Sequence, residues 1–173
     1  MLQKEHPLIP RPVCPVTVRP KVKESSMNKR EIVHTLLDSV QKGDFGQARS
    51  LLADNFQFSG PIPGSINKDV WLSMSAGLKT AFPDLDYHFK VLGELGNNVR
   101  MSSELSGTQT GSFDLTTMNM GVISATDKTF STKPERAKVT VKENKITAWA
   151  VERTEGAGLS AIVGQLGVKS PTV

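Results

Sequence analysis

The chain is poor in residues that staple, ligate or anchor. Its 173 residues include one cysteine, Cys14, which excludes a disulfide framework and a cysteine-rich metal centre and argues against a cysteine nucleophile. The three histidines, His6, His34 and His88, are dispersed and do not form a metal-ligand set. No stretch approaches the roughly 20 apolar residues needed to span a membrane, and none has the apolar core of a secretory signal. Walker and Gly-x-Ser-x-Gly sequences are absent, and Gly156-x-Gly158 lacks the preceding strand of a dinucleotide turn. No metal, nucleotide or other cofactor is expected.

Positive charge is also scarce where it would matter. The net charge is +4, but Lys4, Arg11, Arg19, Lys21 and Lys23 stand against only Glu5 and Glu24 in residues 1–26. The remaining chain is therefore close to neutral, and a nucleic-acid partner is not expected. The same leader holds Pro7, Pro10, Pro12, Pro15 and Pro20, half of the ten prolines, without apolar periodicity. It reads as a disordered tail. Such a tail suits an extended interaction segment. An organellar transit peptide is the alternative to a cytoplasmic location, although five prolines oppose the helix that such leaders form. Met27 is a second candidate start, because the folded pattern begins there.

Residues 27–173 pattern as one domain. Asn28 with Glu31 makes a capping box, and Ile32, Val33, Leu36, Leu37 and Val40 form an apolar stripe, predicting a helix to about Gln41. Gly43-Asp44 breaks and recaps the chain before a short helix marked by Phe45, Ala48, Leu51 and Leu52. Asn55 to Ser59 alternates as a strand with Phe56 and Phe58 on one face. Asn67 caps a third helix in which Val70, Met74, Leu78 and Phe82 recur beside Trp71, and Pro83 ends it. Strands are predicted over 85–95, 99–108, 129–141 and 146–153, with turns at Gly96-Asn97 and Glu143-Asn144. Leu159, Ile162, Val163 and Leu166 predict a C-terminal helix placed over a pocket mouth or on a neighbouring subunit. Helices followed by consecutive strands imply an α+β domain with one sheet face covered.

Two segments carry more than periodicity. Ala81-Phe82-Pro83-Asp84-Leu85 and Gly107-Thr108-Gln109-Thr110-Gly111, with Lys145-Ile146-Thr147-Ala148-Trp149 opening the last strand, resemble the SnoaL-like polyketide cyclases of the nuclear-transport-factor-2-like superfamily. The resemblance covers about residues 28–168. It implies the cystatin-like fold: a cone-shaped, curved antiparallel sheet, mixed at most at one edge, under three N-terminal helices, with a small-molecule pocket between. A homodimer through the outer sheet face is also implied. In this sequence Gln109 stands where the family's second segment has histidine, and Thr154 stands where its last strand has an acid.

Counting by twos from Ile146 sends Ala148, Ala150, Glu152 and Thr154 inward. Glu152 is thus the candidate general acid/base, since a carboxyl in an apolar pocket gains pKa by desolvation. Gln109, sharing parity with Met101, Ser103 and Leu105, is a candidate ligand-orienting amide, or a hydrogen-bonding partner for nearby backbone. Tyr87 and Phe89 face inward while His88 faces out. Phe58, Trp71 and Met74 are wall residues, serving core and pocket alike. Asp84 reads as a structural cap. These residues suggest a cofactor-free isomerase, cyclase or hydratase acting on a small apolar molecule. The alternative is a non-catalytic binding or interaction module that has lost the catalytic acid.

Overall fold

The computed structural model describes residues 27–116 and 121–167; the expected disordered tail, residues 1–26, lies outside the described residues. Helix α1 (Lys29–Lys42) starts on the capping box, with Asn28 Oδ1 accepting the Glu31 N–H at 2.8 Å and the Glu31 carboxylate accepting the Asn28 N–H at 2.9 Å. Gly43 ends it in the left-handed conformation, and Asp44 caps α2 (Phe45–Leu51) by accepting the Gln47 N–H. Strands β1 (Leu52–Ser59) and β2 (Ser65–Asn67) lead to α3 (Lys68–Ala81), capped by Asn67. Strands β3 (Lys90–Leu95), β4 (Asn98–Ser103), β5 (Ser106–Thr108), β6 (Phe113–Asp114), β7 (Val122–Ile123), β8 (Thr129–Ser131), β9 (Glu135–Lys142) and β10 (Lys145–Val151) follow, then α4 (Gly158–Leu166). No helix among the described residues is long and apolar enough to cross a membrane.

The main sheet has the order β2-β1-β10-β9-β4-β3, with helices α1 and α3 packed on it. All its pairings are antiparallel except β1 with β10, so the sheet is mixed near one edge. The two remaining short pairs are β5 with β8 and β6 with β7. The core joins Ile32, Leu36 and Val40 of α1 to Val99, Met101, Val139 and Ile146 of the sheet, all nearly inaccessible to solvent.

Three expected strands are shorter than the pattern suggested. The 129–141 run breaks before Glu135, where Pro134 has no N–H to give a ladder. The 99–108 run breaks between Ser103 and Ser106, and Thr132 spans both gaps: its Oγ1 accepts the Leu105 N–H at 3.0 Å and its N–H donates to the Leu105 carbonyl at 2.8 Å. The 85–95 run becomes strand only from Lys90, after His88 takes a positive φ of 41°. The apolar face of α3 is also rotated, burying Trp71, Leu72, Ser75, Leu78 and Ala81 and leaving Val70 exposed.

The two signature segments close on each other. The Asp84 carboxylate accepts the Thr108 N–H at 2.7 Å, which holds its carboxyl below the usual range. The Thr110 and Gly111 N–H groups both donate to the Ala81 carbonyl, and Phe82 packs edge-on against Phe113 and Phe130. A Cβ at Gly111 would collide with the Thr80 carbonyl oxygen, which is backbone and has little room to yield. Gly111→Ala is therefore expected to destabilise the fold by about 1–3 kcal/mol, read as a lowered urea midpoint with unchanged slope.

Candidate functional site

One apolar cavity of about 110 Å³ lies between the sheet and the helices. Trp71, Met74, Ser75 and Leu78 come from α3, Phe58 from β1, and Trp149 and Val151 from β10. Tyr87 and Phe89 close one side, and Ser103, Leu105 and Glu135 another. Gly158, Leu159 and Ile162 bring α4 over the cavity, so the C-terminal helix covers the pocket of its own chain. Five of the chain's ten aromatic residues line this one space. Trp71 and Trp149 have ring centroids 5.3 Å apart, and Tyr87 stacks on Phe89 at 4.8 Å with planes 8° apart.

The backbone around Tyr87 is fixed from α1. The Gln41 side chain accepts the Tyr87 N–H at 3.0 Å and donates to the Leu85 carbonyl at 2.9 Å, bracketing the segment with two bonds. The phenol itself has no partner among the described residues, and neither does the Trp149 indole N–H; both atoms are buried. Burial also pushes the Tyr87 pKa upward, so the phenol stays protonated. A buried donor without an acceptor costs about 1–3 kcal/mol. Both residues belong to the wall of the same cavity.

Glu135 is the acid of this cavity. It begins β9 directly opposite Ser103 of β4, and both side chains line the pocket. Its pKa is raised from 4.5 to about 7, and burial is the only cause. Gly158 makes room for it: a Cβ there would stand 3.0 Å from Glu135 Oε2, and the residue has φ of +65°, a region that favours glycine.

The expected site residues divide cleanly. Phe58, Trp71, Met74, Tyr87 and Phe89 are brought together as wall residues. Glu152 is not among them. Strand β10 carries a bulge against β9 between Ile146 and Ala148, so one extra residue inverts the alternation counted from Ile146. Trp149 and Val151 therefore face the cavity, while Glu152 is exposed on the opposite side of the sheet with Leu92, Arg100 and Lys138. Its assignment as the pocket acid is corrected by that inversion.

Gln109 is likewise no pocket ligand. It is fully buried beyond the end of β5, donating to the carbonyls of Gly111, Ile123 and Ser124 and accepting from Thr126 Oγ1 at 2.7 Å. Every polar atom of its amide is engaged in joining the 109–111 turn to the 123–126 segment. Asp84 is structural, as expected, though it caps Thr108 across 24 positions rather than its own turn. Among the described residues no group of three metal-ligating side chains occurs.

Sequence reasoning missed Glu135, although a signal was present. Glu135, Ala137, Val139 and Val141 alternate with Arg136, Lys138, Thr140 and Lys142, so the apolar face of β9 carries one carboxylate at its first position. Reading a continuous strand from Thr129 hid that start.

No protein-family model matches the sequence, and a search of curated proteins finds no match. Solved structures do match. A protein of Jannaschia sp. CCS1 assigned as a SnoaL-like polyketide cyclase superposes with a TM-score of 0.65 at 18% identity, over 82% of this chain and 93% of that one. IdmH of Streptomyces antibioticus, assigned as a polyketide cyclase, gives 0.64 at 19% identity over 82% and 100%. A Catenulispora acidiphila protein with a ketosteroid isomerase-like fold, solved in complex with trimethylamine, gives 0.56 at 13% over 80% and 94%. The chain has the α+β fold shared by SnoaL-like and nuclear-transport-factor-2-like proteins.

The raised pKa of Glu135 ties stability to pH. The folded state binds the proton more tightly than the unfolded chain, so stability falls as pH rises from 4.5 through about 7. Glu135→Gln removes that loss. It is expected to stabilise the protein by about 1–3 kcal/mol at pH 8 and to leave it unchanged near pH 4, as read from paired urea titrations.

Proposed function

We propose that this protein is a cofactor-free acid–base enzyme, an isomerase, cyclase or hydratase, that moves a proton on a small and mostly apolar molecule bearing an oxygen acceptor. One observation carries the reading: Glu135 sits in the wall of an otherwise apolar cavity with its pKa driven to about 7, in a wall that also holds two donors without partners. A general base is most effective with a pKa near the working pH, and buried donors are most effective where charge develops.

In this scheme ionised Glu135 removes a proton from a carbon next to a carbonyl. The electron pair passes to the carbonyl oxygen, where the Tyr87 hydroxyl and the Trp149 indole N–H donate to the developing negative charge. Protonated Glu135 then returns its proton to carbon at another position, so the reaction is balanced and no cofactor enters. The upward shift of Tyr87 keeps the phenol a donor throughout. Ser103 stands opposite Glu135 on the neighbouring strand. Names carried by the structural neighbours, polyketide cyclase and ketosteroid isomerase-like, agree with chemistry on carbon skeletons. The cavity itself takes a small group of a ligand rather than a ring system, since its 110 Å³ lies below the roughly 150 Å³ that holds benzene.

Small ketones and enones incubated with the protein in D2O should exchange their α-hydrogens, followed by proton NMR. The rate should rise with pH through an apparent pKa near 7. It should fall about 100-fold or more in Glu135→Gln and about 100-fold in Tyr87→Phe, while Glu152→Gln, on the outer face, leaves it unchanged. Equal rates in the wild type and Glu135→Gln would remove the proposed base.

A further inference from the structure

Three polar side chains of the cavity wall have no partner among the described residues, and they do not want the same thing. Tyr87 Oη and Trp149 Nε1 are donors and need an acceptor. The Glu135 carboxylate needs a cation or a proton, because a buried charge is ordinarily paired. No lysine, arginine or histidine among the described residues lines the cavity. Ser103 faces Glu135 from β4, Gly158 from α4, and Tyr87 is the only other titratable residue among the described residues of the wall. Lys133 lays its methylenes against the Gly156 position, and Arg136 lines the opposite side of the sheet with Glu152. The described residues surround the buried acid with rings and supply no counter-ion within the cavity.

Those rings form a box. Trp71 lies 6.5 Å from Phe58 and 5.3 Å from Trp149, and Phe89 lies 6.4 Å from Trp149, between ring centroids. Aromatic faces attract cations through their quadrupole, most strongly where water is excluded. We infer that the cavity recognises a small alkylammonium group, seated among Phe58, Trp71, Phe89 and Trp149 with Glu135 as its counter-ion, on a ligand whose oxygen accepts from Tyr87 and Trp149. One such molecule satisfies all three unpaired groups. A group the size of trimethylammonium also suits a cavity of 110 Å³. The inference rests on this cavity being the ligand site, as proposed above, and assigns Glu135 the part of a counter-ion independently of the base role.

Both tryptophans of the chain line the cavity, so intrinsic fluorescence reports on it directly. The full-length protein is titrated with choline and with 3,3-dimethylbutan-1-ol, its neutral isostere of the same shape. At pH 8.5 choline should bind about tenfold tighter than the alcohol or better. The preference should shrink towards unity at pH 5.5, where Glu135 is protonated, and in Glu135→Gln at pH 8.5, which keeps its affinity for the alcohol. Binding of the alcohol as tight as choline at pH 8.5 overturns the inference and leaves the cavity standing as a ligand site. Absence of binding by either probe also overturns it, and the hydrogen-exchange assay then decides separately whether Glu135 acts as a base.

Discussion

The structure depends on one junction, where the C-terminal end of α3 is tied to the start of the β5 region. The Asp84 carboxylate takes the Thr108 N–H, and the Ala81 carbonyl takes two N–H groups from Thr110 and Gly111. Phe82 fills the space beneath them against Phe113 and Phe130. These bonds anchor the last turn of α3, so its preceding turns present Trp71, Met74, Ser75 and Leu78 to the sheet at a fixed height. Gly107 belongs to the same constraint, since a Cβ there would press on the Asp84 carboxylate and the Leu85 backbone. The two signature segments thus act as a clamp, and the clamp makes a cavity possible without taking part in its chemistry.

The contrast between Gln109 and Glu135 separates scaffold from site. Both are buried polar residues. Gln109 donates to three carbonyls and accepts from a hydroxyl, so its burial is offset by its bonds. Glu135 has no such compensation, and its pKa moves to about 7 in consequence. Fully satisfied buried groups hold a fold together, whereas unsatisfied ones are expected where a ligand completes them. By that criterion the cavity at Tyr87, Trp149 and Glu135 is the candidate site.

Much of this was legible in the residues. The caps Asn28, Asp44 and Asn67 were read in place because each is a local rule: a side-chain oxygen reaching an N–H two or three residues on. The wall residues Phe58, Trp71, Met74, Tyr87 and Phe89 followed from helix and strand periodicity. Failure came where periodicity was extended across an irregularity. The bulge at Ile146–Ala148 inverted the face of Glu152, and the break at Pro134 concealed that β9 begins at Glu135. Neither is a local property. A bulge appears only when two strands are laid side by side, and a strand's first residue is set by what it pairs with. The fold therefore survived small errors in register, while the identity of the candidate acid did not, because one residue of slip exchanges the inside and outside of a sheet.

That sensitivity also explains why Glu135 occupies the particular position it does. Burial alone raises its pKa, and its Oε2 lies beside Gly158, the first residue of α4. A carboxyl so desolvated exchanges its proton in the neutral range. A side chain at position 158 would press on the carboxylate, and the positive φ of that residue already favours glycine. The glycine that opens α4 thus leaves the space in which the acid is enclosed, so the helix that covers the pocket also sets the surroundings of its acid.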